Sequence, residues 1–310
     1  MNALHHLITS LSLVGSCASA AEPTALAASE PASGLAWQQT PTSLALLNGD
    51  KAIWRLMFDP KAPKSYFHPL ATVEGQELTA SEPKDHVWHR GLWFSWKFIN
   101  GLNYWEEDPN TGLAEGFSEI TASKATANPD FSATITLDFS YHPPGKPAVL
   151  TEQRTLAVSA PDKTGCYTID WTSAFTAGAE PVVLDRTPPS SKGGVGWGGY
   201  AGLSLRFPPG IKGWSFTTSE GITGAAAGNG KNARWVDFSN ATAGIAVFDH
   251  PANLRQPSPW YLNEQLPYFS PALLYNEPLT LAAKQPLTLR YRVLVHRAAT
   301  DLPARDWPRP

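Results

Sequence analysis

Residues 85 to 107 read DHVWHRGLWFSWKFINGLNYWEE, which sets His86, His89, Arg90, Glu106 and Glu107 among Trp88, Trp93, Trp96, Tyr104 and Trp105. His, Arg and Glu are costly to bury without partners, whereas Trp and Tyr offer flat apolar faces with one polar tip. Such a mixture suits the wall of a site. A second pair, Asp249-His250, follows the apolar run 244–248 and leads into NLRQPSPWY, with Trp260 and Tyr261. The first Asp-His pair precedes an expected strand and the second follows one. If those strands are antiparallel neighbours, both pairs lie at one rim of a sheet and face a common cleft.

The chemistry these residues suit is proton transfer. Acid/base work needs a group titrating near neutrality and a carboxylate that orients or opposes it, and His86 and His250 with Asp249 and Glu106 supply both. One of Glu106 and Glu107, set against the Trp105 face, would gain the raised pKa that a proton donor to a glycosidic oxygen requires. Arg90, Arg206 and Arg255 are the candidate anion clamps. No cofactor is expected, and the alternative is a divalent metal held by His86 and His89 with His68 or His250 and a carboxylate. On a flat strand, however, rings three residues apart point to opposite faces. His142 and His296, at strand ends, read as ordinary satisfied residues, and His5 and His6 lie near the N-terminus.

Those residues need a frame, and the chain reads as strands throughout. Segments 52–58, 91–99, 131–142, 150–158, 167–175, 201–207, 233–238, 244–248 and 287–296 alternate or are rich in β-branched residues, with Pro, Gly, Asn and Asp between them. In 131–141, Phe131, Ala133, Ile135, Leu137, Phe139 and Tyr141 share one face, as in an antiparallel strand with one wet side. No stretch keeps helical periodicity for three turns, and 28 prolines oppose a helix-rich domain. The expected fold is all-β: one large two-layer antiparallel sandwich over residues 44–310. The glycine-rich loop 190–200 lacks the Lys-Ser/Thr of a nucleotide cradle and is expected to set Trp197 and Tyr200 at a cleft edge.

Composition narrows the partners. The net charge is −3 with 16% charged residues and no cationic run, which opposes nucleic acid and anionic membrane surfaces. Residues 7–14 are apolar and lead into Ala18-Ser19-Ala20, the pattern of an export signal over residues 1–20, followed by a flexible segment 21–43. A periplasmic or secreted protein is expected, with lipidation at Cys17 as the alternative. No later apolar run reaches about 18 residues, so no membrane span is expected. Of the two cysteines, Cys166 is read as a small buried hydrophobe, and no disulfide is expected.

Taken together, YFHPL, DHVWHRGLWFSW, NGLNYWEE, GGYAGLSLRF, ARWVDF and FDHPANLRQPSPWY resemble the PmoA-like bacterial domain of unknown function over most of residues 50–297. The resemblance implies a carbohydrate role, since members are exported or encoded near sugar-processing genes. Its implied site residues are His68, Asp85, His86, His89, Arg90, Trp105, Arg206, Asp249, His250, Asn253 and Trp260. Val87-Trp88 between the two histidines departs from the usual family residues. The leading expectation is an exported carbohydrate-active enzyme, a hydrolase, lyase or epimerase, on a sandwich resembling the galactose-mutarotase type. His86, His250, Asp249 and Glu106 would be catalytic, with His68, His89, Arg90, Trp105, Arg206, Asn253, Trp260 and Tyr261 binding substrate. The alternatives are a non-catalytic sugar-binding module using the same aromatic residues and a metal-dependent enzyme of unknown reaction.

Overall fold

The structure, a computed structural model, describes residues 34–297 and 300–308. The expected export signal over residues 1–20, and Cys17 within it, lie outside the described residues. In chain order the strands of the first third are β1 (Leu35–Thr40), β2 (Ser43–Asn48), β3 (Lys51–Met57), β4 (Tyr66–Leu70), β5 (Leu92–Ser95), β6 (Phe98–Ile99) and β7 (Leu102–Asn103). Then come β8 (Phe117–Ala127), β9 (Ala133–His142), β10 (Leu150–Val158), β11 (Tyr167–Ala177), β12 (Val182–Asp185), β13 (Gly202–Arg206) and β14 (Ser215–Thr218). The last are β15 (Trp235–Ser239), β16 (Ala243–Asp249), β17 (Trp260–Asn263), β18 (Tyr268–Pro271), β19 (Leu279–Leu281) and β20 (Pro286–Arg297). Helix is confined to one turn at Ala225–Gly228 and two 3-10 turns among the described residues. All-β is the observed class.

Two eight-stranded antiparallel sheets form the body. The first runs β1-β2-β3-β4-β5-β13-β18-β17 and the second β14-β15-β16-β20-β11-β10-β9-β8, while β19-β12-β6-β7 make a small third sheet. Alternation explains the second sheet directly: odd residues of β9 from Ala133 to Tyr141 are buried and the intervening ones largely wet. Phe131 stands outside that strand, at a turn with φ of 64°. The inner faces of the two large sheets meet in one core. Phe94 of β5 packs on Phe175 of β11 at 5.3 Å, and Phe67 of β4 on Trp171 of β11 at 6.5 Å. Tyr167 crosses the gap, its hydroxyl donating to the Ile53 and Ala71 carbonyls at 3.1 and 3.0 Å.

Two expectations are corrected. Ordered structure starts before Leu44: β1 pairs with β2 from Leu35 to Thr40, because Leu35 and Trp37 are half-buried and Trp37 meets Trp54 edge-on at 5.7 Å. The strand expected over 91–99 is also two strands. β5 stays in the first sheet and β6 joins β12 in the third, so the chain changes sheet at Trp96-Lys97.

Alternation along β4, β5, β13, β17 and β18 sends Leu92, Phe94, Leu203, Leu205 and Phe269 inward and Trp93, Tyr261 and Tyr268 to the opposite face, where they form a separate apolar cluster with Trp105. That outer face of the first sheet carries the site.

Candidate functional site

The loop 82–90 folds back over the outer face through backbone bonds from His86 to Pro83 and from His89 to His86, both 2.9 Å, and from Glu82 to His89 at 2.8 Å. These turns remove the flat-strand geometry that would send the two imidazoles apart. The rings of His86 and His89 instead stack at 4.7 Å, and His89 lies 5.4 Å from the Tyr268 ring on β18. Gly91 closes the loop because a Cβ there would come within 2.3 Å of the Phe67 carbonyl.

The loop is pinned by a buried ion cluster. Glu107 pairs with Lys64 on one side and accepts from Arg90 Nη2 at 3.2 Å on the other, while Arg90 Nη1 donates to the Val87 carbonyl at 2.6 Å. Lys64 also donates to the Trp88 and Trp105 carbonyls, at 3.2 and 2.6 Å. Burial lowers the Lys64 ammonium to about 8 despite the opposing charge of Glu107. Arg90 and Glu107 therefore set the loop's shape rather than clamp a ligand.

A cavity of about 500 Å³ opens above this frame, lined by His86, Trp88, His89, Glu106, Trp197, Tyr200, Tyr261, Asn263, Gln265, Leu266 and Tyr268. The glycine-rich loop contributes Trp197, 54% exposed at the mouth, and Tyr200. Gly199, at φ of 115°, permits this approach, since a Cβ there would meet the Tyr275 ring at 2.5 Å. Trp105 is fully buried behind Tyr200, 5.0 Å away, and does not itself line the cavity.

At the cavity's edge lies a line of three groups. Arg206, 1% exposed, donates from Nη2 to the Asp85 carboxylate at 2.8 Å, and the same carboxylate oxygen stands 3.3 Å from His86 Nδ1. Partial burial acts to raise Asp85, but the Arg206 hydrogen bond and charge, helped by His86, outweigh it and hold the carboxyl below its ordinary value. The geometry is that of an ion-pair contact and His86 Nδ1 makes no formed hydrogen bond; the negative charge beside it favours the tautomer with Nδ1–H and leaves Nε2 open as the base. His89 behaves differently. Burial, reinforced by His86, Arg206, Lys64 and Arg90, lowers it to about 2, so it is a neutral ring throughout the physiological range.

Glu106 lines the cavity but is ion-paired to Lys97 and accepts from Asn103 Nδ2 at 2.6 Å. It is not the isolated carboxyl against an apolar ring that proton donation would need. His68 sits beside the site, its Nδ1 3.1 Å from the Thr79 hydroxyl, without lining the cavity.

The second Asp-His pair lies elsewhere, which corrects the expectation of a common cleft. β5 pairs with β4 and β13 in the first sheet, whereas β16 pairs with β15 and β20 in the second. Asp249 is buried under the following loop, accepting from Asn253 Nδ2 at 2.7 Å and the Ser258 amide at 2.9 Å, and burial pushes it up to about 6. His250 packs on Trp307 at 4.7 Å. Trp260 turns into the core and donates to the Ala233 carbonyl at 2.8 Å, so it offers no stacking face. Of the expected residues, His86, His89, Glu106 and Tyr261 line the cavity, and Asp85 and Arg206 stand behind His86 at its edge; Asn253, Asp249, His250 and Trp260 are elsewhere. Lys64, Lys97, Asn263, Gln265 and Tyr268 were missed. Only Tyr268 carried a signal, as the outward residue of a short aromatic run.

Among the described residues no group of three His, Cys, Asp or Glu is arranged to hold a metal ion, and no helix is long and apolar enough to cross a membrane.

The fold and this cavity define an all-β, two-sheet sandwich with an aromatic, histidine-bearing pocket on one outer face. The chain belongs to a family of unknown function, DUF6807, whose match spans residues 43–304. No curated protein matches it. Among solved structures it is similar to the alpha-galactosidase from Lactobacillus brevis, at 9% identity and a TM-score of 0.43, over 85% of this chain and 39% of that one. The chain thus spans well under half of that protein's length.

Proposed function

We propose that this is an exported carbohydrate-active protein in which the cavity beside His86 takes a sugar and His86 moves a proton at a ring carbon or glycosidic oxygen. The observation that carries the reading is Asp85, which joins a buried arginine to a histidine at the mouth of an aromatic cavity. Trp197, Tyr200 and Tyr261 supply faces on which the C–H side of a sugar ring packs, and Asn263, Gln265 and Glu106 supply hydroxyl partners. His86 Nε2 takes the proton from a ring carbon as the neutral base, or gives it to a glycosidic oxygen as the protonated ring; Asp85 lies beside Nδ1 to orient the ring and Arg206 keeps Asp85 charged. Neutral His89 offers a hydrogen bond without adding charge. Asp249 and His250 have no part in this scheme.

The test is incubation of the protein with a panel of oligosaccharides and polysaccharides, with products followed by NMR for a cleaved bond, a new double bond or an inverted centre. Turnover that falls at least ~100-fold in His86→Gln, with binding retained, is expected. Binding without turnover at any pH would instead favour a sugar-binding module.

A further inference from the structure

A second cavity, of about 370 Å³, lies at a different place on the molecule, where the 60–63 turn meets the start of β8 and the end of β9. Pro60, Pro63, Leu113 and Phe117 give it apolar walls, and Tyr104 lines its inner side. The Tyr104 side chain is 2% exposed and its hydroxyl has no hydrogen-bond partner. A buried hydroxyl is ordinarily satisfied, and with no protein partner this one is open to a water or a ligand in the cavity. Gly116 makes room for the ring, because a Cβ there would fall 2.1 Å from it. At the rim, His142 Nε2 stands 3.3 Å from Glu119, and Lys61 is nearby in the lining. The rim therefore offers both donors and an acceptor.

We propose that this cavity is a second binding site, for a neutral pyranose ring. The ring's C–H face packs on Phe117 and the prolines, one ring hydroxyl or ring oxygen accepts from Tyr104, and outer hydroxyls reach Glu119 and His142 at the rim. The opposite charges at the rim favour a neutral ligand over an acid. This site stands independently of the His86 cavity. Tyr104 and Trp105, adjacent in sequence, point to opposite sides: Tyr104 joins the inter-sheet core and Trp105 the outer cluster.

Protein-observed NMR tests it, with the methyl glycosides of glucose, galactose, mannose and xylose as probes and p-nitrophenol as a separate aryl probe. At least one glycoside is expected to shift Tyr104, Phe117 and His142 saturably. Tyr104→Phe should weaken that binding roughly three- to tenfold, the loss of one hydrogen bond, and Leu113→Trp, made at an exposed rim position, should block it. The proposal is overturned if no glycoside shifts these residues, if both variants bind as the wild type does, or if only p-nitrophenol binds. Shifts at His86 and Tyr261 report the other cavity separately, so failure of one site is distinguishable from failure of the other.

Discussion

His89 has the most perturbed histidine environment in the site, and its consequence for stability has a definite sign. Its folded pKa, about 2, lies below the ordinary value of 6.5. Between those values the unfolded chain binds a proton that the folded chain refuses, so stability is complete above the unfolded pKa and falls as pH drops below it. The slope is about 1.4 kcal/mol per pH unit for one such group. Denaturant unfolding at about pH 7 and about pH 5 should show His89→Phe losing about 2 kcal/mol less than the wild type over that interval. Equal losses in the two proteins would mean that His89 titrates normally. At the same scale, Asp85→Asn should lower turnover while leaving sugar affinity within a fewfold, because Asp85 acts on the base rather than on the ligand; a loss confined to affinity would argue against the orienting role.

At the scale of elements, the loop 82–90 and the segment 104–107 are held together by Glu107. Removing that carboxylate leaves Lys64, 4% exposed, without its anion and Arg90, 7% exposed, with only the solvent-exposed Glu82 at 3.4 Å. Breaking a buried pair from one side typically costs about 3–5 kcal/mol. Glu107→Ala should therefore lower Tm by many degrees, and in the surviving folded fraction His86 and His89 should lose their stacking. A thermal melt and the histidine NMR resonances check both, and an unchanged Tm would show the cluster to be dispensable. This scale also shows why the site was half legible. The stretch 85–107 announced itself because charged and aromatic residues crowd a short span. Lys64 and Lys97 are single lysines in unremarkable contexts: Lys64 gains its role only when β4 and β5 bring distant segments together, and Lys97 only when the β6-β7 hairpin folds Glu106 back to it. β17 and β18 were hidden for another reason: they are buried almost throughout, so no wet side produces alternation.

At the scale of the molecule, the two sheets are joined by apolar packing, by the Tyr167 hydroxyl and by a buried polar knot. Glu152 of β10 takes Arg154 Nε at 2.7 Å and Nη2 at 2.9 Å, the Ser173 hydroxyl at 2.6 Å and the Tyr141 hydroxyl, while Arg154 reaches Ser65 at 2.8 Å. The guanidinium lies 4.2 Å from the Phe139 ring and 4.7 Å from that of Trp171. Glu152→Ala should destabilise by about 3–5 kcal/mol, whereas replacing Glu152 and Arg154 together by Leu and Met should cost far less. Chemical denaturation of the single and double variants decides this, and equal losses would contradict it.

The same scale holds the main lesson about legibility. Strands such as β9, β10 and β11 were readable from alternation, since it reports local burial. Which strands pair across the chain is not local, and the assumption that the strands beside Asp85-His86 and Asp249-His250 were neighbours failed there. One pair belongs to the first sheet's outer face, the other to a rim of the second sheet beside Trp307. The choice between those two places is what most needs measuring. A crystal structure of the protein with a saccharide that it binds should show the sugar between Trp197 and Tyr261, with one oxygen within hydrogen-bond reach of His86. A sugar seated instead against His250 and Trp307, with the His86 cavity unoccupied, would contradict the assignment.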